Sequence, residues 1–115
     1  MSVVVSDSSP IHYLVLVEAI EFLPRLFQEV IVPRAVAEEL RQPQTPAEVY
    51  DWISSPPKWV RIHVCATVDE SLPLGRGEKE AISTAQELRV RSILIDERKG
   101  RRFATQRGLL VVGRQ

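Results

Sequence analysis

The chain has 115 residues, 44% hydrophobic and 26% charged, which allows one core and one site and leaves no room for a second domain. Fifteen basic residues balance fifteen acidic ones, which excludes the basic excess of a general nucleic-acid binder, so any RNA affinity must come from local charge. One cysteine and two histidines exclude an internal disulfide and a self-contained zinc site, so oxygen ligands must hold any metal.

No apolar run approaches the roughly 20 residues that span a bilayer, and Met1-Ser2-Val3-Val4-Val5 lacks the basic start of a secretory signal; a cytoplasmic protein is expected. Val3 to Val5 is a β-branched run ending in Ser6-Asp7-Ser8-Ser9-Pro10. Ser9 can cap a helix there and Pro10 fits its first turn, which predicts strand, tight turn, helix. Pro24 divides the apolar stretch from Ile11 to Phe27 into two short helices, and Glu29 to Val32 reads as a second strand. Pro33 opens a helix to about Leu40; Gln42-Pro43-Gln44 breaks the chain, and Thr45-Pro46-Ala47-Glu48 reads as a capping box for a helix through Trp52. Pro56-Pro57 ends that excursion.

Val60 to Val64 reads as an edge strand, Leu72 to Gly77 as a loop, Glu78 to Leu88 as a helix and Ser92 to Ile95 as a strand. A helix over Glu97 to Gln106 follows, Gly108 stops it, and Leu109 to Val112 is a last strand. Short apolar strands alternating with helices predict an α/β fold: a three-layer α/β/α sandwich around a central, mainly parallel sheet. No repeats or low-complexity segments interrupt it.

Ligands of open parallel sheets sit at the carboxyl ends of the strands. Asp7 and Asp96 both fall there. Turning each helix by about 100° per residue puts Glu39 within the arc of Ala35, Val36 and Leu40, with Glu38 outside. The same turn puts Glu78 on the side of Ala81, Ile82, Ala85 and Leu88, with Glu80 nearly opposite. Each acid alone has an ordinary explanation: Asp7 and Asp96 as helix caps, Glu78 as a dipole partner, Glu39 as a surface residue. Jointly, four carboxylates converging at one rim would repel one another unless a cation compensated them. Oxygen-only ligation suits Mg2+ or Mn2+.

The stretches Val5-Ser6-Asp7-Ser8-Ser9-Pro10, Val32-Pro33-Arg34-Ala35-Val36-Ala37-Glu38-Glu39-Leu40, Leu74-Gly75-Arg76-Gly77-Glu78-Lys79-Glu80-Ala81-Ile82 and Leu94-Ile95-Asp96-Glu97-Arg98-Lys99-Gly100-Arg101-Arg102, in this order, resemble the PIN-domain family. The likeness is to its short prokaryotic branch, related to VapC-type toxins, and it covers nearly the whole chain. The resemblance implies a single domain over 1–115 whose acids hold Mg2+ or Mn2+ and hydrolyse RNA. It further implies a toxin restrained by an antitoxin protein and working as a homodimer. It carries the family's first three acids onto Asp7, Glu39 and Glu78, and the fourth onto Asp96, with Glu97 the alternative one residue on. Relatives of this branch continue beyond the position of Gly113, so the domain reads as shortened at its C-terminus.

In such a site a bound metal would activate water and neutralise charge on the phosphate, with an unliganded carboxylate as general base. Ser6 and Ser8 flank Asp7 as donors to its carboxylate or to a water. Arg98, Lys99, Arg101 and Arg102 form a basic cluster suited to phosphates or to a solvated helix face. His12 and His63 are assigned no role, and Trp52 and Trp59 are either packing or a partner-binding surface. Two alternatives share these residues. A PIN fold without catalysis would be a nucleic-acid or protein-binding module. A receiver-like phosphorylation switch would also use strand-end acids, but Asp7 is followed by Ser8 and Ser9 rather than by an adjacent acid, and Glu39 and Glu78 would go unexplained.

Overall fold

The computed structural model describes residues 2–112; the expectation of a shortened C-terminus lies outside them. Five short strands, β1 (Val3–Ser6), β2 (Glu29–Pro33), β3 (Val60–His63), β4 (Ser92–Leu94) and β5 (Leu110–Val112), form one sheet in the order β3-β2-β1-β4-β5. All four pairings are parallel. β3 is an edge strand as expected, and β5 is the other edge.

Side chains alternate across the sheet with a period of two, and both faces are apolar. Val4, Val30, Val32 and Leu94 face one layer, with Ile11 of α1 (Ser8–Leu16), Leu23 of α2 (Leu23–Leu26), Val36 of α3 (Arg34–Glu39), and Val49 and Ile53 of α4 (Ala47–Ser54). Val5, Ile31, Ile93 and Ile95 face the other, against Ala81, Ile82 and Ala85 of α5 (Arg76–Leu88) and Ala104 of α6 (Arg98–Gln106). The α/β/α sandwich is therefore as the sequence predicts. No helix among the described residues is long and apolar enough to cross a membrane.

Several local expectations change. Asp7, not Ser9, takes the N-cap position of α1, and Pro10 lies within its first turn, where no backbone N–H is needed. Thr45 makes no capping box: Pro46 precedes α4, no side chain caps that helix, and the Thr45 hydroxyl instead donates to the Glu39 carbonyl at 3.5 Å. The helix expected from Glu78 begins two residues earlier, at Arg76. Trp52 and Trp59 pack at 5.9 Å between ring centroids and lie half-buried on the core, so they are packing rather than an exposed partner surface. His63 holds Glu87 at 2.9 Å on the β3 side. Gly108, at φ +80°, ends the region of α6 in a left-handed conformation that favours glycine.

The chain runs outward from β1 to β2 and β3, then crosses back to β4 and β5 on the opposite side of β1. The gap between β1 and β4 is thus where the strand order reverses, and helices leave its two strands on opposite faces. Asp7 and Asp96 follow those two strands.

Candidate functional site

Asp7 is fixed by its backbone, whose N–H donates to the Leu94 carbonyl at 2.9 Å and prolongs the β1–β4 pairing by one residue. Its side chain is only 4% exposed and makes no capping hydrogen bond to α1. Among the described residues Oδ1 has no hydrogen-bond partner. Burial above all pushes this carboxyl from 3.8 up to about 7; the Ser8 backbone opposes the shift, and the charges of Glu78, Glu39 and Asp96 reinforce it. Asp7 stands at the N-cap position of α1, but its side chain makes no capping bond there, so capping does not account for the carboxylate. A bare, buried carboxylate oxygen costs several kcal/mol unless something binds it.

Glu39 ends the six-residue helix α3. The residue is exposed, contrary to the core-facing position predicted for it, because a helical wheel does not extrapolate to the last residue of so short a helix. Its carboxylate nevertheless turns inward: the Ser8 hydroxyl donates to Oε1 at 2.8 Å and the Gly77 N–H to Oε2 at 3.1 Å. A Cβ on Gly77 would stand 2.6 Å from Oε1, so only glycine lets α5 come this close. Glu38 stays outside and pairs with Arg34 at 3.3 Å.

Glu78 lies in the first turn of α5, where its Oε1 accepts the Gly75 N–H at 3.2 Å, the reach-back half of a capping box. Burial raises its pKa; the Gly75 hydrogen bond opposes this, and Glu97 and Glu39 add to it. Glu97 is the N-cap of α6, its Oε1 accepting the Gly100 N–H at 2.8 Å. The cap that could have explained Asp96 therefore belongs to Glu97. Asp96 is exposed at the rim, and its charge acts on Asp7.

Asp7, Glu39, Glu78 and Asp96 thus gather at the carboxyl end of β1 and β4, with Glu97 against Glu78. Their donors are all oxygens, the deepest has one oxygen without a partner among the described residues, and their charges oppose one another, which fits a hard divalent cation. Among the described residues, no group of three or more His, Cys, Asp or Glu side chains is already arranged to hold a metal ion. The carboxylates converge without closing into a cage.

Ser8 serves Glu39 rather than Asp7, and the Ser6 hydroxyl donates to the Asp7 carbonyl at 2.9 Å, away from the carboxylate. Arg98, Lys99 and Arg102 are exposed along the start of α6, beside Asp96. Sequence reasoning missed Glu80. It is 8% exposed, not turned away from the core: its Oε1 accepts the Ala35 N–H at 3.1 Å, and Arg76 approaches Oε2 at 3.4 Å. Pro33 precedes α3 and its side chain cannot cap that helix, so Glu80 reaches across from α5 to satisfy one of its first N–H groups. The signal available was the proline at the cap position, which left α3 without a local acceptor.

A family model described as a PIN domain matches residues 3–114. No curated protein matches the chain.

Proposed function

The chain belongs to the PIN-domain family, and we propose that it hydrolyses RNA phosphodiesters as a metal-dependent endoribonuclease. The single observation that carries this reading is Asp7 Oδ1, a buried carboxylate oxygen without a partner in the midst of three further acids. Asp7, Glu39, Glu78 and Asp96 would hold Mg2+ or Mn2+. Bound there, the cation would supply an activated water and charge neutralisation at the phosphate. Ser8 and Gly77 fix the Glu39 carboxylate in one orientation, so little side-chain entropy remains to be lost on binding. Glu97 secures the start of α6 beside Glu78, and Arg98, Lys99 and Arg102, exposed on that helix, are available to the RNA backbone beside the reacting phosphate.

The raised pKa of Glu78 suits it to take up a proton as general base when a cation leaves it unliganded. Family membership sets the receiver-like switch aside. In its finer form the reading makes this protein the cytoplasmic toxin of a toxin–antitoxin pair, acting as a homodimer. A PIN fold that only binds nucleic acid or protein is the second reading, favoured by the absence of a ready-made metal cage among the described residues.

The test is cleavage of a single-stranded RNA in Mg2+ or Mn2+ by the wild type, Asp7→Asn and Glu78→Gln. Cleavage by the wild type alone, abolished by chelator, supports the nuclease. Equal cleavage by all three removes these acids from catalysis, and RNA binding without cleavage favours the binding module.

A further inference from the structure

Beside the acidic rim, on the α1 face of the sheet, lies a groove of about 370 Å³ lined by Pro10, Tyr13, Leu14, Leu94, Asp96 and Val112. Its side chains are apolar except for Asp96 and the Tyr13 hydroxyl. Tyr13 is 62% exposed on the surface of α1. Asp96 belongs both to this groove and to the cluster of acids, so whatever fills the groove adjoins whatever binds the acids.

We propose that the groove is a nucleobase subsite: with an RNA phosphate at the acids, the base of an adjoining nucleotide enters it and stacks on Tyr13. The inference rests on the nuclease reading and deepens it. Single-stranded RNA is gripped by cations along its backbone and by aromatic side chains against its base faces. Both elements flank Asp96 here. Tyr13 stands on the helix that leaves Asp7, and the exposed Arg98, Lys99 and Arg102 stand on the helix that begins two residues after Asp96.

The groove has the volume of a small-ligand pocket, whereas a stable protein partner covers about 800 Å² on each side. A second cleft sets Arg34 and Arg76 among Glu38, Glu70 and Glu80, which pair with them, and offers a base no aromatic ring. A third places Tyr50 near Arg34 and Arg41, but none of Asp7, Glu39, Glu78 and Asp96 lines it, so a base there would not adjoin the acids.

The experiment compares wild type, Tyr13→Phe and Tyr13→Ala on a single-stranded oligoribonucleotide and on copies with one base removed at each position flanking the cleaved bond. Stacking on an aromatic side chain corresponds to roughly a tenfold to hundredfold change in binding. Tyr13→Ala is expected to raise KM by that factor with kcat near wild type, and Tyr13→Phe to keep the wild-type KM. Removing the base at one flanking position should raise the wild-type KM similarly and add nothing in Tyr13→Ala. Affinity for the intact oligonucleotide in chelator, read by fluorescence anisotropy, should follow the same order, with folding checked by circular dichroism.

A wild-type KM in Tyr13→Ala, or a missing-base penalty that Tyr13→Ala leaves intact, overturns the subsite while the nuclease stands. A change in oligomeric state on Tyr13→Ala without any change in RNA affinity overturns it in favour of a protein contact. A wild type that cleaves no RNA overturns the nuclease reading and the subsite together.

Discussion

Replacing Asp7 by asparagine removes the one buried group whose ionisation the metal-free fold resists most. The carboxyl moves from 3.8 in the unfolded chain to about 7 when folded, through burial first and then the neighbouring acids. Between about pH 4 and 7 the folded protein keeps a proton that the unfolded chain releases, so stability falls as pH rises through that window and levels off above it. The whole fall is on the order of 4 kcal/mol, of which about 2 kcal/mol lies between about pH 5.5 and about pH 8.5.

Asparagine has no such ionisation. In chelator, wild type should therefore lose about 2 kcal/mol more than Asp7→Asn over this range. That is roughly 8 °C in Tm at about 4 °C per kcal/mol for a domain of this size. Urea denaturation of both proteins at the two pH values measures the difference. Adding Mg2+ at the higher pH should restore stability to the wild type alone, by about 2.7 kcal/mol at a hundredfold excess over Kd. Parallel stability against pH in the two proteins would refute the reasoning, since Asp7 would then be solvated or paired.

Gly77→Ala sets a Cβ 2.6 Å from the Glu39 carboxylate and should displace it. Calorimetric Mn2+ affinity should fall on the order of tenfold to a hundredfold, whereas unchanged affinity would remove Glu39 from the metal site. Glu80→Ala leaves the buried Ala35 N–H without its acceptor and should cost about 1–3 kcal/mol in urea denaturation; a negligible loss would mean that α3 finds another cap. Asp96→Asn should weaken Mn2+ binding more than Glu97→Gln, because Glu97 already spends Oε1 on the Gly100 N–H. The reverse order would make Glu97 the fourth acid.

The layered α/β order was legible because short apolar strands buried on both faces leave an uninterrupted signal, and Pro10 and Gly108 punctuate the helices between them. The expected break at Pro24 falls earlier, after Leu16, where Glu18 turns left-handed, and Pro24 lies in the first turn of α2. Asp7 and Asp96 were legible for a topological reason: in a parallel sheet every strand delivers its next residue to the same rim. The helical acids were harder. A wheel assumes that a helix meets one flat core, but the first turn of α5 is wedged beside α3, so Glu80 is buried by a neighbour that no local pattern reveals. The same approach makes Gly77, a residue without a side chain, a donor to Glu39. Trp52 and Trp59 lie on either side of a proline break, and only the tertiary fold brings their rings together.

The central claim is that the unpaired Oδ1 of Asp7 is a cation ligand. A crystal grown with Mn2+ tests it most directly through anomalous scattering: an anomalous peak in contact with Asp7 Oδ1 and shared with Glu39, Glu78 or Asp96 is the expected result. Density showing Asp7 buried, with Mn2+ bound elsewhere or not at all, would contradict it.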